Sequence, residues 1–80
     1  MTTEHPGNTI KTLLNEQGMT LIEAAEKTGI HKATFSRLIN GKQSLTAEVA
    51  LKISILCRVS PLTLLTCQNR YDLHQLGWEE

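Results

Sequence analysis

Apolar residues recur along this chain at helical spacing, and nowhere do they alternate as a strand would require. Ile10, Leu13 and Leu14 share one face of a first helix, which opens after Pro6-Gly7-Asn8. Gly18 supplies a residue able to end it in the left-handed conformation. A second helix opens with Thr20-Leu21-Ile22-Glu23, a capping-box pattern. In such a box the Thr20 hydroxyl takes the Glu23 amide and the Glu23 carboxylate reaches back, while Met19 staples onto Ala24. Leu21, Ala24, Ala25 and Thr28 form its inner face, and Gly29 stops it. A third helix, from about His31 to Ile39, puts Thr34, Phe35, Leu38 and Ile39 on one side. Lys32, Ala33, Ser36, Arg37 and Asn40 fall on the other, before the turn Asn40-Gly41-Lys42. A fourth helix starts at the cap Thr46, has Glu48 in the first turn where the helix dipole favours an acid, and runs to about Cys57. The fifth starts at Ser60-Pro61 and ends near Leu76-Gly77. The expected fold is all-α: five helices in a single domain over residues 1–80.

The break between the second and third helices is very short and contains Gly29. Two short helices joined in this way make a helix-turn-helix, here over about residues 20–39. The small Ala24 and Ala25 let the two helices approach closely.

The last two helices each carry two apolar stripes. On the fourth, Val49, Ile53, Leu56 and Cys57 form one, with Leu51 and Ile55 on the far side. On the fifth, Leu62, Leu65 and Leu76 oppose Leu64, Cys67 and Tyr71. A helix apolar on both sides is buried on both sides, and a monomer of 80 residues covers only one. The expectation is a homodimer built on residues 46–76, with Leu51, Ile55, Leu64, Cys67 and Tyr71 at its interface. The alternative is that these helices pack on each other and on the tail, with Trp78 as a lid.

Composition removes several classes of function. Hydrophobic residues at 40% and charged residues at 20% belong to a globular chain, not a disordered one. No apolar run approaches the roughly 18 residues that span a bilayer, and Met1 to Asn8 is polar and lacks a signal-peptide core. The chain is therefore expected in the cytoplasm, without a membrane partner. Cys57 and Cys67 are then expected as reduced thiols. His5, His31 and His74 lie far apart in sequence, so no metal ligand set is expected. No phosphate loop, nucleophile elbow or paired-carboxylate motif occurs, so no cofactor or enzymatic activity is expected.

Charge changes the picture more. The chain has eight Lys and Arg against eight Asp and Glu, yet residues 27–42, KTGIHKATFSRLINGK, hold four of those cations and no acid. Lys32 and Arg37 stand on the outer face of the third helix with the small Ala33 and Ser36 between them. Such a helix fits a DNA major groove about 12 Å wide, where Arg37 can grip guanine O6 and N7. Thr20, Lys27, Asn40 and Lys42 flank that helix and suit phosphate contacts. The plain alternative is a solvated basic face.

The stretch MTLIEAAEKTGIHKATFSRLINGK resembles the helix-turn-helix of the lambda-repressor-like (Xre) DNA-binding proteins. HPGNTIKTLLNEQGMT, LINGKQSLTAEVALKIS and CQNRYDL together resemble, more selectively, the HigA-type antitoxins. The resemblance implies a five-helix lambda-repressor-like fold, a homodimer and repression of the chain's own operon, and a two-fold dimer calls for an inverted-repeat operator on double-stranded DNA. It also implies a partner toxin of the HigB type, an RNase that cleaves messenger RNA on the ribosome. The family's base-reading positions correspond here to His31, Lys32, Ala33, Ser36 and Arg37. Leu21 stands where the family often has a Gln that touches the DNA backbone. His31 replaces the usual Ser or Thr cap and is expected to cap less well. Arg58 stands where the family tends to have Gly. Two rival readings are an Xre-type regulator without a toxin and a helical interaction module that no longer binds DNA.

Overall fold

The computed structural model describes residues 5–79. The polar start of the chain, apart from residues 5–8, lies outside the described residues. The described part holds five helices and no strand: α1 (Pro6–Glu16), α2 (Leu21–Thr28), α3 (Lys32–Ile39), α4 (Ala47–Cys57) and α5 (Pro61–Gln75). All five expected helices are present, with α1 opening at Pro6 and not after Asn8, and their ends are written in local chemistry. Thr20 and Glu23 close the capping box, with the Glu23 amide donating to the Thr20 hydroxyl at 3.2 Å. The Thr46 and Ser60 hydroxyls cap α4 and α5. At the other end of α3, the Gly41 amide donates to the Leu38 carbonyl and the Lys42 amide to that of Arg37, a Schellman closure. Gly41 provides the left-handed residue this needs, with φ at 72°.

One helix ends without glycine. Arg58 closes α4 with φ at 57°, the only positive value for a non-glycine residue among those described.

Phe35, Ile10, Leu38, Ile53 and Leu64 are fully buried and form the centre of the core, together with Ala24 and Ala50. α1 packs on α3, α4 and α5; α2 packs on α3 and α4; α4 packs on α5. The start of α1 sits directly against the end of α3. A Cβ on Gly7 would collide with the Leu38 carbonyl and come within 2.9 Å of that of Ile39. Buried Gln68 fastens the α3–α4 connection to α5. Its Oε1 accepts the Leu45 amide at 2.8 Å, and its amide donates to Asp72 at 2.9 Å. Both cysteines are free thiols, and burial raises the pKa of Cys57 above the ordinary thiol value.

The two stripes expected on α5 are not kept: Leu65 packs against the core instead of sharing a face with Leu62 and Leu76, and the stripe expected outside turns inward. Leu64 is 1% exposed and belongs to the core, not to an outer face. Cys67 is half-buried on the same side, and the ring of Tyr71 packs against His5 of its own chain. The outer stripe of α5 is Leu62, Leu73 and Leu76. On α4 the expectation stands: Leu51 and Ile55 are exposed. Trp78 is 44% exposed, too open for a lid over the core.

Candidate nucleic-acid interface

The core anchors α3 through Phe35 and Leu38, and this rotation sets what the helix shows to solvent. Lys32, Ala33, Arg37 and Asn40 are exposed, with Ser36 half-buried among them. His31 is exposed at the helix start. The proposed base-reading residues therefore share one face. Lys27 at the end of α2 and Lys42 beyond α3 are exposed at either side of it. The only ion pair among the described residues joins Glu48 to Lys52 on α4, at 3.4 Å. Within the described residues, the four cations of the basic stretch thus have no acid in contact.

Hydrogen bonds refine each role. His31 caps α3: its Nδ1 accepts the Ala33 amide at 3.2 Å. An imidazole that accepts through Nδ1 carries its hydrogen on Nε2, which leaves one donor pointing away from the helix. The Asn40 side chain donates to the Ser36 carbonyl at 2.9 Å and keeps one amide hydrogen and its oxygen for other partners. Thr20 is a correction. Its hydroxyl donates to the Glu23 carboxylate at 3.1 Å and accepts the Glu23 amide, so capping takes its one donor, the group a phosphate would need. Leu21 is half-buried against the core and offers no polar group to DNA.

Two residues in contact with these elements escaped the sequence reading. Gln43, in the turn after α3, accepts the Arg37 Nε–H at 3.0 Å. Its partner lies six residues away, a spacing that marks no helix face, so periodicity carries no signal for it. His5 is 8% exposed and caps α1, its Nδ1 accepting the Gly7 amide at 3.0 Å. The sequence signal for this cap is Pro6, a proline at the first helical position directly after it.

Elsewhere, a groove of about 360 Å³ is lined by Lys11, Leu14, Asn15, Met19, Thr20, Leu21 and Ile39. Lys11 is its one titratable group, and no nucleophile–base pair meets there. Among the described residues, no cluster of three or more His, Cys, Asp or Glu is placed to hold a metal ion, and no helix is long and apolar enough to cross a membrane.

A family model described as helix-turn-helix matches residues 10–64, from the core of α1 to the start of α5. Virulence-associated protein A' of Dichelobacter nodosus is 38% identical over 74 residues, covering 91% of this chain and 64% of that protein. The uncharacterized HTH-type transcriptional regulator YddM of Escherichia coli K12 is 40% identical over 68 residues, covering 85% of this chain and 72% of that one. This chain thus spans under two thirds of the first relative's length and more of the second's. An addiction module antidote protein of a HigA family from Coxiella burnetii superposes with a TM-score of 0.82, at 27% identity, over 96% of this chain and 89% of that one. The matched segment contains α2, its Gly29 turn and the exposed face of α3, and the chain belongs to the lambda-repressor-like helix-turn-helix family.

Proposed function

We propose that this chain is a sequence-specific DNA-binding repressor acting as a homodimer on an inverted-repeat operator. The observation that carries this reading is the exposed face of α3, where Lys32, Ala33 and Arg37 stand free of acidic partners among the described residues. Arg37 reads a guanine edge, with His31, Lys32, Ala33 and Ser36 beside it. Lys27, Asn40 and Lys42 hold phosphates. Leu51 and Ile55 on α4, with Leu62, Leu73 and Leu76 on α5, supply the apolar surface for a second protomer. A two-fold dimer sets two recognition helices about 34 Å apart, on successive major grooves of one DNA face. Selection from a random duplex library tests this. An inverted repeat with half-sites about one helical turn apart supports it, and enrichment of no sequence refutes it.

A finer reading is that the chain is the antitoxin of a HigBA-type module, represses its own operon, works in the cytoplasm and binds an RNase toxin. The similarity to the HigA-family antidote protein supports it. Co-expression with the adjacent gene tests it: the two products should purify together, and the chain should relieve the growth arrest its neighbour causes. The similarity to YddM favours a second reading, a regulator without a toxin. A neighbouring product that neither arrests growth nor co-purifies supports that one.

A further inference from the structure

Gln43 has no role in the reading so far, yet it connects three parts of the molecule. The Schellman closure of α3 turns the chain back at Gly41 and Lys42. That reversal lays the Gln43 side chain alongside Arg37, whose Nε–H donates to its Oε1 at 3.0 Å. The backbone of Gln43 lies beside the His5 ring and favours its charged form. Because the Nδ1 of His5 already accepts the Gly7 amide, the group facing Gln43 is Nε2–H. His5 itself is buried and held by the Tyr71 ring. Two residues beyond Gln43, the Leu45 amide is fixed by buried Gln68. The backbone around Gln43 therefore lies beside the cap of α1 and is fastened to α5, and its side chain reaches toward the recognition helix.

We propose that Gln43 is a positioning residue for the reading of DNA by Arg37, holding the guanidinium so that only its far edge meets a base. The proposal rests on α3 being the recognition helix. A guanidinium has five N–H donors in one plane. With Nε–H bound to Gln43, the fork that remains is the end-on pair from the two terminal nitrogens, which matches guanine O6 and N7. Holding a flexible arginine beforehand also lowers the ordering cost of binding. A phosphate contact needs no such orientation, since it carries no sequence information. The effect of Gln43 should therefore appear in base preference and not in salt dependence.

The full chain is first used to select a duplex from a random-sequence library. That duplex, and versions altered at each half-site position, are then titrated against the wild type, Gln43→Ala, Gln43→Glu, Arg37→Ala and the Arg37→Ala/Gln43→Ala double variant. Gln43→Ala should lower discrimination at one base position by roughly three- to tenfold, the range of a single net hydrogen bond. It should leave the salt slope unchanged and should add nothing in the Arg37→Ala background. Gln43→Glu keeps the acceptor oxygen and should retain the base preference, while its added charge weakens binding to all duplexes alike. In the free protein, the Arg37 Nε–H resonance should exchange slowly in the wild type and rapidly in Gln43→Ala. If Gln43→Ala keeps wild-type discrimination, the positioning role is overturned alone. If it lowers discrimination equally without Arg37, Gln43 reads a base itself and the proposal is again overturned. If the wild type enriches no sequence, the DNA reading falls and the positioning role falls with it.

Discussion

The rings of His5 and Tyr71 meet edge to face, with centroids 4.9 Å apart and planes at 83°. This contact joins the cap of α1 to the middle of α5 and seals an ionisable group in the interior. Burial is the main force on it and holds the His5 pKa below its ordinary 6.5; Asp72 and the Gln43 backbone pull the other way without prevailing. Protonation would put a hydrogen on Nδ1, where the Gly7 amide donates. In the window between the depressed native value and 6.5, the unfolded chain binds more protons than the folded one, so stability rises with pH. The contribution of His5 is complete above 6.5 and is lost as pH falls from there toward the native value. Thermal unfolding followed by circular dichroism should show a midpoint that drops across this window. His5→Asn, which keeps a capping acceptor but cannot titrate, should flatten that drop; an unchanged slope in the variant would sink the assignment.

Arg37 and Lys42 should separate cleanly in their effects on DNA binding. Arg37→Ala should cost about 1–3 kcal/mol on the preferred duplex and blunt discrimination at one position. Lys42→Ala, like Lys27→Ala, should weaken every duplex alike and lower the salt slope by about one unit per half-site. Titrations at several salt concentrations decide it. A Lys42→Ala variant that changes sequence preference without changing the slope contradicts the phosphate role.

The contrast between α3 and α5 shows how far the residues alone lead. α3 was legible because its inner residues are large and apolar and its outer ones charged, so one rotation satisfies both. In α5 the leucines stand on both sides, and periodicity cannot say which stripe faces the core. The deciding residue is Gln68, buried at 4% exposure because Leu45 and Asp72 satisfy its amide. A glutamine reads as a surface residue by type, and its partner is 23 positions away. The caps of α2 and α4 were legible because their partners lie three residues along. His31 keeps the capping position because a ring nitrogen can accept the amide that a Ser or Thr hydroxyl would take. The Arg37–Gln43 bond was illegible for a different reason: it exists only once the chain has reversed beyond α3.

Arg58 should be a point of stored strain. A left-handed conformation costs a residue with a Cβ roughly 1–2 kcal/mol, whereas glycine adopts it freely. The Val59 amide still reaches the Ser54 carbonyl at 3.2 Å, so the helix end is made correctly despite this. Arg58→Gly should stabilise the chain by about 0.5–1 kcal/mol, after subtracting the greater unfolded-state freedom of glycine. Arg58→Ala, which keeps the strain and removes the charge, should give no such gain. Urea unfolding of the two variants distinguishes relief of strain from an effect of charge.

The proposed dimer face is open to direct attack because the fold separates outer from inner leucines. Leu51 is 53% exposed and Ile55 73% exposed on α4, and Leu62 is 73% exposed at the start of α5. Removing such side chains from water gains about 25 cal/mol per Å² of apolar area, so a second copy of the chain has reason to cover them. A charge placed there should cost the monomer little, because the position is already wet. Leu51→Glu and Ile55→Glu should therefore keep full helicity while sedimenting as monomers at micromolar concentration, where the wild type sediments as a dimer. Because one monomer engages one half-site, both variants should also lose most of their affinity for a duplex carrying the inverted repeat. Leu64→Glu is the control for orientation. At 1% exposure it buries a carboxylate in the core and should unfold the chain instead of splitting it. A wild type that sediments as a monomer, with Leu51→Glu and Ile55→Glu binding DNA as well as it does, would remove α4 and α5 from any role in assembly.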